Sequence, residues 1–220
     1  MKAFHTYSAI ALLLLSSCMA AAQHVSYDAV RDFSIQSNPN GVWSYGWTWP
    51  PSLLESSFQP TPLSLYTVTD TISVPGMSAW LAAGVYYANP PYIAHNDTND
   101  EICRATFCIP PTYLHLHPGY HGQRTILRWT APFAGRFTVQ GAFEGLDWAG
   151  PTTTDVHVLH NSAPLVSGAI SSYMQPLTFN LQVEVSSGDT IDFAVGFGGN
   201  GSYFYDSTGV QAVISPVAGN

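Results

Sequence analysis

The feature that most constrains the fold is a strict alternation of apolar and polar residues late in the sequence. From Phe179 to Val185 every odd-numbered residue is apolar and every even-numbered residue is polar. After the turn-like segment 186–189, the apolar residues recur at every second position from Ile191 to Phe197. A period of two places these side chains on one face of a β-strand. The pattern predicts two strands that pair as a half-buried hairpin.

Comparable runs recur along the chain, and no segment shows sustained helical periodicity. Long loops are expected at Trp49–Pro62 and Asn89–Pro111, which are rich in proline or in Asn and Asp. Strands without helical crossovers predict an all-β fold of antiparallel sheets packed face to face, a β-sandwich with jelly-roll or Greek-key connections. Further strands are expected at Val25–Phe33, Val42–Trp49, Leu65–Ile72, Trp80–Tyr87, Tyr113–His117, Thr125–Thr130, Arg136–Phe143, Thr154–His160 and Gly209–Ile214.

The N-terminal residues have the layout of an export signal. A lysine at position 2 precedes the apolar run Ala9–Leu15, and small residues follow up to Ala22. This pattern predicts a secretory signal peptide at 1–22 and a single domain at 23–220. Alternatively, the four residues ending at Cys18 resemble a bacterial lipobox, which predicts a signal at 1–17 and a lipid anchor on Cys18. Either route leads to a secreted, extracellular or cell-envelope protein, and no run approaches the ~20 apolar residues of a membrane-spanning helix.

Charge and cysteine content narrow the function classes. The chain has 14 Asp and Glu against 6 Lys and Arg, and such an acidic surface repels phosphate backbones, so we expect no nucleic-acid binding. Cys103 and Cys108 are close in sequence, and in an oxidising compartment they are expected to form a local disulfide. A zinc site would need further ligands, of which His95 and His115 are the nearest histidines in sequence.

Aromatic residues supply the first candidate site. Trp43, Tyr45, Trp47 and Trp49 share one face of a predicted strand. Aromatic rings stack on the apolar faces of sugars, but they also supply much of a core's burial energy. We expect Trp43 and Tyr45 in the core, and the role of Trp47 and Trp49 stays open between core and ligand binding. Trp148, in a predicted turn, is a third candidate ligand-binding residue.

Histidines supply a second candidate. His115 and His117 share a strand face, and two imidazoles at i and i+2 can chelate one metal, as in cupin jelly rolls. His121 falls near the position where a cupin has a glutamate. His157 and His160 could join such a cluster only if their strand lies next to this one. The alternative is that these are surface or turn histidines.

Oxygen ligands for calcium are a third candidate. The residues concerned are Asp28, Asp32, Asp189, Asp192, Asn200 and Asp206. The alternative is that these side chains only form Asx turns. No nucleophile elbow or phosphate loop is present in the sequence. Glu144 and Asp147 could form a glycosidase-like carboxylate pair, but they lie at a predicted strand end and turn, so we expect a non-catalytic protein. We expect no cofactor, with bound calcium as the alternative.

Five segments together resemble a known module: Tyr27–Gly46, Leu116–Gly119, Leu127–Asp147, Thr152–Asn161 and Gly188–Ile214. The module occurs in secreted proteins of environmental bacteria, often with a C-terminal PEP-CTERM sorting tail, and is similar to jelly-roll carbohydrate-binding domains. This sequence ends without such a tail, so we expect free secretion or a lipid anchor. The resemblance implies a non-catalytic extracellular module that binds a polysaccharide or a cell-surface glycan. The alternatives are a structural envelope or matrix protein and, third, a cupin-like metal-dependent enzyme.

Overall fold

The computed structural model describes residues 25–49, 62–71, 73–84 and 89–217. The predicted signal peptide, Cys18 and most of the predicted loop Trp49–Pro62 lie outside these ranges. Within them, no helix is long and apolar enough to cross a membrane. The described strands are β1 (Tyr27–Asp28), β2 (Trp43–Thr48), β3 (Ser64–Leu65), β4 (Val68–Asp70), β5 (Met77–Leu81), β6 (Tyr92–Asn96), β7 (Ile102–Arg104), β8 (Phe107–Ile109), β9 (Leu114–His117), β10 (Arg124–Thr130), β11 (Gly135–Gly145), β12 (Asp155–His160), β13 (Ala163–Ala169), β14 (Pro176–Val185), β15 (Thr190–Gly196) and β16 (Thr208–Pro216), with one 3₁₀ turn at Gly198–Asn200.

The strands form an antiparallel β-sandwich with connections of jelly-roll type, which confirms the predicted fold class. One sheet has the order β14-β11-β16-β9-β6-β5-β4, with β1 paired to β16. The other has the order β13-β12-β15-β10-β2-β3. β7 and β8 form a separate two-stranded ribbon. The disulfide Cys103–Cys108 joins its two strands, as the sequence predicts.

The predicted hairpin of the alternating segments is wrong in its pairing. β14 pairs with β11 in the first sheet, whereas β15 pairs with β10 and β12 in the second. The turn between them exists, because the Asp189 backbone N–H donates to the Ser186 carbonyl. Alternation states which face of a strand is apolar but not which strand lies beside it. Two strands whose apolar faces meet across the core satisfy the pattern as well as a hairpin does.

Other predicted boundaries also change. Leu65–Ile72 divides into β3 and β4, which belong to different sheets, and the predicted loop Asn89–Pro111 contains β6, β7 and β8. β13 is a strand that the sequence did not indicate. Near the N-terminus only Tyr27–Asp28 is extended, because the Asp28 carboxylate accepts the backbone N–H groups of Val30 and Arg31 and turns the chain.

The core lies between the two sheets and is rich in aromatic side chains. Trp43 and Tyr45 are buried there, which confirms the prediction for both. Trp129 packs edge-on against Phe137 with ring centroids 5.0 Å apart. Phe193 extends the cluster to the middle of β15. Burying side chains of this size contributes about 1.5–3 kcal/mol each, so the sandwich is held mainly by this layer.

The strand register gives the sandwich two distinct ends. At one end, β10 meets β2 through Arg124 and Thr48, and β11 meets β16 through Gly145 and Thr208. We call this the cleft end. At the other, which we call the turn end, the connections after β10, β12 and β14 are short turns.

Candidate functional site

A cleft of about 460 Å³ opens on the outer face of the first sheet at the cleft end. Leu116 and Ile93 point into the core, so His117 and Tyr92, their neighbours along β9 and β6, face outward. Their rings stack with centroids 5.3 Å apart. The β7–β8 ribbon and residues 203–207 form the other sides. The described lining is Leu81, Asn89, Pro90, Tyr92, Thr106, Phe107, His117, Asp147, Tyr203, Phe204, Tyr205 and Ser207.

Asp147 ties two sides of the cleft together. Its side chain is buried, with one carboxylate oxygen accepting the Thr106 hydroxyl at 2.6 Å and the other accepting the Ser207 backbone N–H at 2.7 Å. The backbone N–H of Trp148 donates to the carbonyl of Thr106 at 2.8 Å. The ribbon and the 203–207 segment are therefore fixed to the turn after β11 by charge-assisted and backbone hydrogen bonds.

Aromatic rings make up one side of the cleft, with Tyr203 buried and Phe204 and Tyr205 exposed. Tyr203 packs against Phe204 with centroids 4.5 Å apart and against Tyr120 at 5.2 Å. The Asn89 side-chain amide donates to the Tyr203 hydroxyl at 2.7 Å. Phe204 remains 59% exposed. Exposed aromatic surface beside polar groups is typical of ligand sites. We call Tyr120, Tyr203, Phe204 and Tyr205 the aromatic wall.

Close packing behind the wall depends on one glycine. A Cβ added at Gly150 would lie only 2.5 Å from the Tyr205 ring. A side chain at position 150 would therefore push this ring out of place.

His117 supplies a hydrogen-bonding group to the cleft. Burial lowers the pKa of His117, against the opposing effects of the Pro118 carbonyl and Asp147. The neutral ring holds its proton on Nδ1, which lies 2.8 Å from the Pro118 carbonyl oxygen, an acceptor. Nε2 is then a hydrogen-bond acceptor.

Buried carboxylates lie behind the wall. Asp206 follows Tyr205 directly and is fully buried. One of its carboxylate oxygens accepts the backbone N–H and the hydroxyl of Thr153. The other has no hydrogen-bond partner among the described residues. Burial raises the pKa of Asp206 to about 7, helped by the charges of Asp147 and Asp155. Asp155 differs: burial favours its neutral form, but His157, Arg124 and the Gly198 N–H outweigh burial and lower its pKa.

The three predicted ligand-binding tryptophans lie at this end of the molecule but in two places. Trp148 is 56% exposed and lies next to Asp147. Trp49 is 49% exposed and contacts the half-buried Trp47 edge-on at 5.5 Å, both at the end of β2 in the other sheet. None of the three is among the described residues that line the cleft. Their role in ligand binding stays a prediction.

The structure separates the candidate metal ligands. His115 and His117 share a face, as predicted, but His115 is fully buried, whereas His117 lines the cleft. His121 is exposed in the loop before β10. His157 and His160 lie on β12, and β12 and β9 belong to different sheets. Among the described residues, the one group of three potential ligands within 4.8 Å is Glu101, Cys103 and Cys108, whose sulfurs are joined in the disulfide.

The candidate calcium ligands each have their own hydrogen-bond or ion-pair partners. Asp189 accepts the Ser186 backbone N–H in its turn. Asp192 forms a two-bond ion pair with Arg128 at 2.7 Å. Asn200 accepts the backbone N–H of Ser202, and Asp32 lies beside Arg31 and the Asp28 N–H.

The aromatic wall was not predicted from the sequence. Tyr203-Phe204-Tyr205 lies between the Gly- and Asn-rich turn 198–201 and β16. The available signal was three consecutive aromatic residues in a segment too rich in turn residues to be a strand. Nothing in the sequence pairs this segment with Asn89 or Thr106, about 100 residues away.

No model of a known protein family and no curated protein matches the chain. Among solved structures, a family 51 carbohydrate-binding module from Clostridium perfringens, in complex with methyl-galactose, has a TM-score of 0.36 and 11% identity over 49% of this chain and 72% of that one. A family 35 carbohydrate-binding module from Clostridium thermocellum has a TM-score of 0.30 and 10% identity over 64% of this chain and 88% of that one.

A pika GITRL structure is also similar, with a TM-score of 0.29 and 18% identity over 43% of this chain and 79% of that one. At these identities the likeness is one of sandwich form alone. A ligand for this chain has to be argued from its own residues.

Proposed function

We propose that the chain is a non-catalytic extracellular module that binds carbohydrate in the cleft beside the aromatic wall. The proposal rests on one observation: the exposed rings of Phe204 and Tyr205 and the polar side chains of Asn89 and His117 line the same cavity. A sugar presents an apolar face and a rim of hydroxyls, and such a surface needs both kinds of contact.

The rest of the proposal follows from the sequence and from local geometry. The disulfide suits an oxidising compartment, so we infer export, followed by free secretion or by retention through a lipid on Cys18. The resemblance to secreted bacterial modules points the same way. Glu144 and Asp147 have different partners: Glu144 faces the Tyr113 hydroxyl at 3.4 Å, while Asp147 is occupied by Thr106 and Ser207. This arrangement favours a structural role for Asp147 over acid–base catalysis.

We further propose that Trp148 extends the cleft and that Trp47 and Trp49 form a separate contact for longer chains. Trp148 is attached to the cleft through Thr106 and Asp147. The β2 pair lies on the other sheet at the same end. A polysaccharide that fills the cleft and continues along this end would meet Trp49 only beyond the first few sugars.

Affinity gel electrophoresis over a panel of neutral and acidic polysaccharides tests the proposal. We expect retardation by at least one polymer and an affinity about fivefold lower for Phe204→Ala, since a stacked ring contributes on the order of 1 kcal/mol. The matched control is Phe133→Ala, which removes an exposed ring at the turn end. Absence of retardation by every polymer would favour the structural envelope or matrix alternative. Equal retardation of wild type and Phe204→Ala would show that a polysaccharide binds away from the aromatic wall.

A further inference from the structure

Hydrogen bonds connect an exposed serine, a histidine and an aspartate on the outer face of the second sheet. Val156 and Val158 point into the core, so Asp155 and His157, which alternate with them along β12, face outward. Ser167 lies directly opposite His157 on β13. The Ser167 hydroxyl oxygen is 2.9 Å from His157 Nδ1, and His157 Nε2 is 3.0 Å from Asp155 Oδ2. The cleft lies on the other sheet, so these three residues are separate from the proposed carbohydrate site.

The aspartate determines which nitrogen of the histidine ring carries the proton. Burial alone would raise the pKa of Asp155, but the hydrogen bond from His157, the charge of Arg124 and the Gly198 N–H together lower it. Asp155 is therefore an anion near pH 7 and can only accept hydrogen bonds. In the neutral imidazole, the nitrogen that faces this anion, Nε2, is the N–H. Nδ1 is then the acceptor for the Ser167 hydroxyl.

This arrangement is that of an activated nucleophile. Such nucleophiles are recognised by a hydroxyl within about 2.6–3.2 Å of a base that a third group orients. The same three residue types act in this way in serine proteases of unrelated folds, where the serine contacts Nε2 and the aspartate contacts Nδ1. Here the two nitrogens have exchanged roles. Either nitrogen of a neutral imidazole can accept a proton, so His157 can act as the base for Ser167.

The position of Ser167 leaves its hydroxyl open to a reagent. His157 is buried, whereas Ser167 is exposed. β13 is the edge strand of its sheet, so alternate backbone N–H groups of β13 point away from β12 and have no strand partner within the described ranges. Such groups can donate to an oxygen that gains negative charge during attack. Leu165 and Ala169, two residues before and after Ser167, are exposed as well and offer apolar surface.

We propose that Ser167 is an acyl-acceptor site, whose hydroxyl takes an apolar acyl group from a carboxylic ester. Ser167 Oγ forms a bond to the ester carbonyl carbon while its proton passes to His157 Nδ1. The ester C–O bond then breaks, and the departing alkoxide takes this proton and leaves as an alcohol. The product is an O-acylserine on an otherwise unchanged module, which is compatible with a non-catalytic role.

Labelling of the full chain with a fluorophosphonate tests the site, because activated serines attack this reagent in the same way, with fluoride as the leaving group. We expect Ser167 to be labelled at least about tenfold faster than Ser172 and Ser187. These two serines are also exposed, but their hydroxyls face an amide or carbonyl oxygen instead of an imidazole. Peptide mass spectrometry measures all three rates in one sample. With p-nitrophenyl butyrate as the ester, we expect a butyryl group on Ser167.

Two variants identify the base. His157→Gln keeps a hydrogen-bonding side chain that cannot take up the proton, so the labelling rate of Ser167 should fall at least about tenfold. The matched control is His160→Gln, which changes a histidine of the same strand that faces Asp189. This control should label Ser167 at the wild-type rate. Circular dichroism establishes that both variants are folded.

Asp155 acts through His157 as a positioning residue, so its role needs a spectroscopic readout. Nitrogen NMR of the His157 ring should show the proton on Nε2 in the wild type. Asp155→Asn should lose this single tautomer and label Ser167 more slowly. A wild-type ring with its proton on Nδ1 would contradict the assignment of His157 as the base.

Two further results overturn the inference. The first is a Ser167 that reacts no faster than Ser172 and Ser187 or gains no butyryl group. The second is an unchanged labelling rate in folded His157→Gln. Neither result bears on the proposed function, which is measured by binding of polysaccharides that depends on Phe204.

Discussion

The two ends of the sandwich use their polar side chains in opposite ways. At the turn end, Asn161 donates to Asp189 and accepts the Thr190 N–H, while Asp189 accepts the Ser186 N–H. At and behind the cleft end, three buried polar atoms, Asp206 Oδ2, Thr152 Oγ1 and His115 Nδ1, have no partner among the described residues. The comparison teaches that the turn end is closed by hydrogen bonds among its own turns, although Trp129 Nε1 next to it also lacks a partner among the described residues, whereas the polar groups of the cleft end border an open cavity.

Removing Asp147 gives the largest expected effect on this comparison. Asp147→Ala leaves the Thr106 hydroxyl and the buried Ser207 N–H without their acceptor, so we expect a loss of about 2–4 kcal/mol in the free energy of unfolding. Urea denaturation measures the loss, and affinity gels should show that polysaccharide binding disappears. The control is Asp189→Ala at the turn end, which should cost less stability and leave binding intact. Equal effects of the two variants on binding would contradict the distinction between the ends.

The pH dependence of stability gives the next effect. The pKa of Asp206 is about 7 in the folded protein against an ordinary 3.8, so the folded state holds a proton that the unfolded state releases. The contribution of Asp206 to the free energy of unfolding is fully present below about pH 4 and is lost as the pH rises to about 7. Asp206→Asn removes this dependence, and we expect the variant to be about 1–3 kcal/mol more stable than wild type at pH 8.

The buried histidines of the first sheet change the stability with pH in the opposite direction. Burial lowers the pKa of His115 and of His117, so their contribution is present above about pH 6.5 and is lost as the pH falls. Both proteins contain these histidines, so their effect cancels when the stability of Asp206→Asn is compared with that of wild type. Thermal unfolding of both proteins from pH 4 to pH 8 measures it, and a difference that does not change with pH would exclude a near-neutral pKa for Asp206.

The smallest effect distinguishes the two groups of exposed tryptophans. Trp148→Ala should weaken binding of a short oligosaccharide about three- to tenfold, since one stacking surface is lost. Trp49→Ala should leave that affinity unchanged and weaken only the binding of long polymers. Isothermal titration with a trisaccharide and with the polymer checks both expectations. A loss of trisaccharide affinity in Trp49→Ala would place the sugar nearer to β2 than we propose.

The sequence predicted the elements of the fold better than their arrangement. Alternation identified β10, β11, β12 and β16 closely, because each has one face on the core. It could not assign β14 and β15 to different sheets, since pairing depends on contacts distant in sequence. It also missed the β7–β8 ribbon, whose strands are too short to show a period.

The candidate site was the least predictable part. Of its residues, only Asp147, His117 and the neighbouring Trp148 were singled out from the sequence. Thr106 and Asn89 carry no local pattern that marks a site, and nothing in the sequence connects the aromatic triplet that begins at Tyr203 to them. Their common location follows from the packing of a ribbon and two loops against one sheet, which is decided by the whole fold.

The position of the last two strands has a consequence for how the molecule reaches its native state. β15 lies between β12 and β10, and β16 lies between β11 and β9, so the strands latest in the chain occupy central places in both sheets. A shorter piece of chain that lacked them would leave each sheet divided, with unpaired edges and an open core. Most native contacts therefore join residues far apart in sequence, which is typical of slow, all-or-none folding. We expect little stable intermediate structure until β16 is in place.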